Sequence, residues 1–246
     1  GRPGIDPEIR KLIRQMWLAN PTWGRPRIQA ELAKIGIRLS DSTVRKYKPK
    51  RRRPPSQTWR TFLENHLDCT VGMDFFVVVT ATFRILYVLV IVSHERRRVL
   101  YFNVTSSPSA QWTAQQVVQA FPFDTAPRFL LRDRDSIYGA FLRKRIGDLG
   151  IEEVLTAYRS PWQNPYCERW IGTVRRDCLD HVIVWDEAHL RRTLHEFLSY
   201  YHADRTHQGL ANDCPESRPV ERPSVGHVVE LPRVGGLHHR YLRRAA

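Results

Sequence analysis

The sequence predicts an α/β protein: a mixed five-stranded sheet flanked by helices, preceded by a small all-α module. Three observations carry this prediction. Apolar runs over residues 73–80, 84–92 and 98–105 follow one another with short connections, the pattern of an antiparallel meander. Beyond residue 108, helical and strand patterns alternate to about residue 202. Positive charge is concentrated at the front: residues 1–56 hold fifteen Lys/Arg against four Asp/Glu, a net of +11 out of +14 for all 246 residues.

The elements follow in order. Asp6-Pro7-Glu8 reads as a helix start, an acidic cap with proline in the first helical position. Ile9, Leu12, Ile13, Met16 and Trp17 then share one helical face, and Asn20-Pro21-Thr22-Trp23-Gly24 breaks it. A second helix over 27–35 turns Ile28, Leu32 and Ile35 inward and ends at Gly36, and Ser40 caps a third that runs to about Tyr47. A helix, a turn and a capped helix bearing Arg45 and Lys46 form a helix-turn-helix candidate over 1–47. Residues 48–58 read as a basic, proline-rich linker, in which Lys48, Lys50, Arg51, Arg52 and Arg53 repel one another and prolines hold the chain extended.

The body, residues 59–215, continues after the meander with a helix at 109–121, a strand at 129–132, a helix at 141–149 and a short strand at 153–156. Two long helices follow near 164–180 and 187–202, with Asn164 a candidate cap for the first. Residues 216–246 read as a basic tail, and its stretch 231–240 contains no acid.

With 42% hydrophobic residues the chain can fill a real core. A basic segment joined to a near-neutral body suggests an electrostatic nucleic-acid clamp attached to a catalytic domain. Cys69, Cys167, Cys178 and Cys214 show no metal-binding or disulfide spacing and fit reduced thiols in a cytoplasmic, nucleoid-associated protein. The apolar runs fall short of the roughly 20 residues that span a bilayer, and no signal peptide is visible. Gly1-Arg2-Pro3-Gly4 reads as a mid-protein start.

Three carboxylates stand out. Asp74 interrupts the apolar run Val71-Gly72-Met73-Asp74-Phe75-Phe76-Val77, where an uncompensated charge is costly. Asp133 ends the strand Phe129-Leu130-Leu131-Arg132, and Glu168 lies thirty-five positions later in a helix. Three acids from separate elements form the oxygen-rich ligand set that hard divalent cations take. Phosphoryl transfer on DNA is the chemistry these features suggest.

Several motifs now resemble a known family. Met73-Asp74-Phe75-Phe76 with Thr80, Asp133-Arg134-Asp135-Ser136-Ile137-Tyr138, and Asn164-Pro165-Tyr166-Cys167-Glu168-Arg169 with Thr173, Arg175 and Arg176 are similar to the core of DDE recombinases. That family joins bacterial insertion-sequence transposases and retroviral integrases. Tyr200-Tyr201-His202-Ala203-Asp204-Arg205-Thr206-His207-Gln208-Gly209-Leu210 resembles the tyrosine-rich helix end and turn of the transposase branch. The resemblance spans about residues 70–215.

It implies a ribonuclease-H-like core in which Asp74, Asp133 and Glu168 are catalytic and bind two divalent ions, Mg²⁺ or Mn²⁺. The family usually has glycine two positions after the second aspartate, where this chain has Asp135. Asp133 follows the strand directly and is the favoured second ligand, with Asp135 the alternative. The implied activity is DNA cleavage and strand transfer on double-stranded element ends and target, by a homo-oligomer. A transposase-derived protein that binds DNA without catalysis is the rival. Phosphate contacts fall to Arg45, Lys46, Lys50, Arg51, Arg52, Arg53, Arg169, Arg175 and Arg176. Arg169 is open to an ion pair instead, Trp162 and Tyr166 to base stacking or core packing. His202, Arg205 and His207 are expected to brace the turn.

Overall fold

A computed structural model describes residues 5–20, 23–49, 59–122, 125–158 and 160–245. It divides into two compact units, residues 1–57 and 58–246. Lys50, Arg51, Arg52 and Arg53 of the expected linker lie outside the described residues.

The first unit holds three helices, α1 (Pro7–Ala19), α2 (Arg25–Lys34) and α3 (Asp41–Lys46). Asp6 caps α1 by accepting from the Glu8 N–H at 2.8 Å, and Ser40 caps α3 through the Thr43 N–H. Ile13, Ile28, Leu32 and Val44 form its fully buried centre. Ile35, expected inward, is instead 59% exposed. The helix ends at Lys34 and Gly36 takes a left-handed turn (φ 82°), so Ile35 leaves the helical register and Ile37 packs on the core in its place.

The second unit opens with α4 (Trp59–His66), whose Phe62 packs edge-on against Phe129. Then come β1 (Thr70–Val79), β2 (Ile85–Ser93), β3 (Val99–Thr105), α5 (Ala110–Ala120), β4 (Phe129–Arg132), α6 (Ala140–Asp148), β5 (Glu152–Leu155), α7 (Pro165–Asp177) and α8 (Glu187–Ala203). The sheet order is β3-β2-β1-β4-β5. The first three strands are antiparallel and the last two parallel to β1, which makes the sheet mixed as expected.

Strand alternation distributes the core over two faces. On β2, Val88, Val90 and Val92 face one side with Trp170, Leu194 and Phe197 of α7 and α8. Leu89 and Ile91 face the other with Val117 of α5 and Leu142 and Ile146 of α6. Burial on both faces explains why β2 reads as an unbroken apolar run. On β1 the same rule sends Met73 toward α5 and α6, and Phe76 toward α7. Asp74, in step with Phe76, therefore belongs to the α7 face.

Residues 216–246 are not a plain tail. Strands β6 (His227–Arg233) and β7 (His238–Arg244) pair as an antiparallel hairpin. Several of its cations are engaged: Arg233 and Arg240 both pair with Asp204, which is 8% exposed, and His238 stacks on Tyr200. Arg243 donates to the Gly226 carbonyl, and His239 lies 3.1 Å from Glu230. No helix among the described residues is long and apolar enough to cross a membrane.

Candidate active site

Register brings the first two acids together. Gly72 of β1 pairs with Leu131 of β4, and Asp74 and Asp133 each lie two residues beyond that pair. β1 continues past this point because β2 still pairs with it, whereas β4 stops at Arg132. Asp133 thus leaves the sheet beside a residue still held within it. Helix α7 crosses the same face, and its first turn carries Glu168.

A cleft of about 300 Å³ results, lined by Asp74, Asp133, Asp135 and Glu168 together with Arg134, Thr156, Ala157, Tyr158, Ser160 and Asn164. Asp74 is partly buried and accepts from the Phe75 N–H at 2.8 Å, while Asp133 and Glu168 are exposed. Burial pushes the Asp74 carboxyl up to about 7; the Phe75 hydrogen bond opposes this, and the negative charges of Asp133, Glu168 and Asp135 add to it. Among the described residues, no three His, Cys, Asp or Glu side chains are grouped to hold one ion. The acids share a cleft without converging on a point.

Around them, positions are set by Arg132 and Arg134, which the sequence left unassigned, and by Asp135, the alternative second ligand. Arg132, 3% exposed, pairs with Glu153 at 2.6 Å and donates to the Asp133 carbonyl at 2.7 Å, fixing the backbone of that acid. Arg134 donates to the Thr156 carbonyl across the cleft. Asp135 accepts from the Ile137 N–H and caps the short 3₁₀ turn that follows. Replacing Arg132 by Ala is expected to cost about 3 kcal/mol, because Glu153, largely buried, keeps only the longer contact to the exposed Arg143 at 3.7 Å. Urea unfolding checks this, with the midpoint falling and the slope unchanged.

Other predicted residues fall as follows. Asn164 precedes α7 but does not cap it with its side chain; its amide donates to the Met73 carbonyl at 3.2 Å, tying the helix start to β1. Helix α7 ends at Asp177, short of the expected 180, and a 3₁₀ turn follows. Trp162 is 69% exposed, whereas Tyr166 stacks on His94. Arg169 and Arg176 are exposed; Arg175 donates to the Val77 carbonyl and lies over the Phe76 ring. Arg45 and Lys46 are exposed on α3 of the first unit. At the tyrosine-rich turn, Arg205 pairs with Asp177, His202 accepts from the Val99 N–H, and His207 is buried.

Comparison with known proteins bears on this second unit. Residues 149–215 match the family model of the integrase core domain. The fold is similar to the catalytic domain of Mos1 mariner transposase, at 15% identity and a TM-score of 0.50, covering 61% of this chain and 85% of that one. Weaker likenesses link it to the HTLV-2 integrase catalytic core domain in complex with magnesium (11% identity, TM-score 0.47, covering 62% and 96%). A simian T-cell lymphotropic virus intasome in complex with PP2A regulatory subunit B56 gamma also matches (13%, 0.48, covering 93% and 86%). No curated protein sequence matches the chain.

Proposed function

Given that the second unit is a ribonuclease-H-like core of the integrase and transposase type, we propose that this protein cuts double-stranded DNA and joins the cut strand to a target, using divalent metal. One observation carries the proposal: Asp74, Asp133 and Glu168, far apart in sequence, line a single cleft at the edge where β4 ends.

The donor set fits hard cations. Its atoms are carboxylate oxygens, and the Asp74 carboxyl is raised to about 7 by burial first, with the negative charges of Asp133, Glu168 and Asp135 adding to it. Asp74, Asp133 and Glu168 would hold two Mg²⁺ ions, with Mn²⁺ able to substitute; Asp135, whose carboxylate caps the turn after Asp133, is the alternative second ligand. Bound there, such ions supply charge neutralisation for an in-line displacement at phosphorus. The chain's own residues fix geometry. Arg132 holds the Asp133 backbone, and Asn164 ties the start of α7 to the strand of Asp74.

Cleavage by water would expose a 3′-hydroxyl, and that hydroxyl would attack a phosphodiester of the target. The first unit would read the element ends as a helix-turn-helix, with Arg45 and Lys46 on its second, capped helix. Lys50, Arg51, Arg52 and Arg53 would track phosphates, as would Arg169, Arg175 and Arg176, though Arg175 must first release the Val77 carbonyl. Two ends must be held together for joining, so a homo-oligomer is the working form.

Incubation with labelled duplex carrying the cognate element end, in Mg²⁺, tests the proposal. Nicked and joined products are expected from the parent and from neither Asp74→Asn nor Glu168→Gln. DNA binding with no product in Mg²⁺ or Mn²⁺ would identify the non-catalytic binder instead.

A further inference from the structure

His94, in the turn after β2, is 1% exposed, and neither ring nitrogen has a hydrogen-bond partner. That is an expensive arrangement, since an unpaired buried polar group costs about 1–3 kcal/mol and phenylalanine would fill the same space without it. The ring is held firmly. It stacks on Tyr166 at 4.3 Å between centroids, and the backbone N–H of His94 donates to the Thr70 carbonyl. Burial holds the imidazole neutral, its pKa lowered to about 4, so one ring nitrogen carries a proton and the other a lone pair.

A second unsatisfied atom faces the same spot. Asn164 Oδ1 is buried without a partner, although its amide nitrogen is bonded to Met73. Both groups crowd Gly72: a Cβ there would lie 2.5 Å from Asn164 Oδ1, 2.9 Å from Cys167 Sγ and 3.1 Å from His94 Nε2. A potential donor and an acceptor thus border one point without bonding. Asn164 directly precedes α7, and its carbonyl accepts from the Glu168 N–H at 3.2 Å. Any shift of Asn164 is therefore passed to Glu168 through the first helical turn.

We propose that His94 is a positioning residue for Glu168: its Nε2–H donates to Asn164 Oδ1 when Glu168 is drawn toward Asp74, locking the start of α7 in the metal-holding arrangement. The inference rests on the reading of those acids as metal ligands. It accounts for two buried orphans at once, and for glycine at position 72, where any side chain would separate them.

The test uses the full chain and two readouts, Mn²⁺ affinity by electron paramagnetic resonance and the kcat and KM of DNA cleavage. His94→Phe keeps the ring stack and removes the donor; His94→Gln offers an amide N–H in its place. Expected for His94→Phe are a melting temperature no lower than the parent's, Mn²⁺ binding weakened about tenfold or more, and lower kcat with unchanged KM for DNA. Asn164→Ala should weaken Mn²⁺ binding at least as much and also lower the melting temperature, since the bond to the Met73 carbonyl goes with it; the double variant should bind Mn²⁺ no worse than Asn164→Ala alone, and His94→Gln should recover part of the affinity. Parent-like Mn²⁺ affinity in His94→Phe, or additive losses in the double variant, would overturn the inference while leaving the acids' role intact. A parent that neither binds Mn²⁺ nor cuts DNA would overturn both. If His94→Phe fails to fold, His94→Gln and the Asn164 variants decide between the same outcomes.

Discussion

Asp74→Asn should abolish DNA cutting and, at pH 8 in the presence of EDTA, yield a more stable protein than the parent. Both effects come from one placement. On the proposed function, loss of a carboxylate that would hold metal removes several kcal/mol of transition-state charge stabilisation, a rate loss of about 10³-fold or more. Folding benefits because the same carboxylate is charged in a partly buried, negatively crowded position. Its folded pKa, about 7, lies above its ordinary value of 3.8. The folded state then binds more protons than the unfolded state between those limits, so the parent loses stability as pH rises from 4 to 7.

Asparagine has nothing to titrate. The variant's advantage should be near zero at pH 4 and grow to about 3 kcal/mol by pH 8, somewhat less than the full shift because Asp74 keeps some exposure. Urea unfolding of both proteins across this range checks the sign, and the difference cancels the contribution of the buried histidines. A variant less stable than the parent at pH 8 would mean that the carboxylate is stabilised by a partner.

Trp170→Ala should cost about 3–5 kcal/mol, the scale of emptying a fully buried indole site. Trp170 is 1% exposed and meets Phe76 edge-on at 5.9 Å. Each ring sits two residues beyond a cleft acid, Phe76 after Asp74 and Trp170 after Glu168, so this contact fastens β1 to α7 beside the cleft. Trp170→Phe should cost far less, about 1 kcal/mol, because the indole Nε1 has no partner to lose and an aromatic pair survives. Chemical unfolding gives both values. If the phenylalanine variant proved as unstable as the alanine one, the indole nitrogen would have to be engaged after all.

What could be read beforehand was local or periodic. The 129–132 strand was expected with the bounds it has, since a short apolar run before a charged turn has few other readings. Asp74 stood out because a lone charge in such a run contradicts its surroundings. What escaped was carried by long-range partners. Arg132 meets Glu153 twenty-one residues away, and nothing in either segment marks the pair. Gly72 carried no assignment, yet Asn164, Cys167 and His94 above it leave no room for a Cβ. Asn164 had the right type and position for a cap, yet the Met73 carbonyl, ninety-one residues earlier, captured its amide. The hairpin of 227–244 was hidden by Pro232 and by an alternation made largely of charged and polar residues, although Gly235-Gly236 marked its turn.

That hairpin also imposes an order on biosynthesis. Asp204 becomes a paired buried charge only when Arg233 and Arg240 close over it, twenty-nine and thirty-six residues later. On a ribosome adding about 5–20 residues per second, the sheet and α7 can emerge and pack seconds before those arginines are available. The cleft acids are thus all present in the nascent chain while one side of α8 still lacks its cover. Closure over Asp204 waits for Arg233 and Arg240, so a nascent chain stalled before Arg233 should remain open to proteases around Asp204.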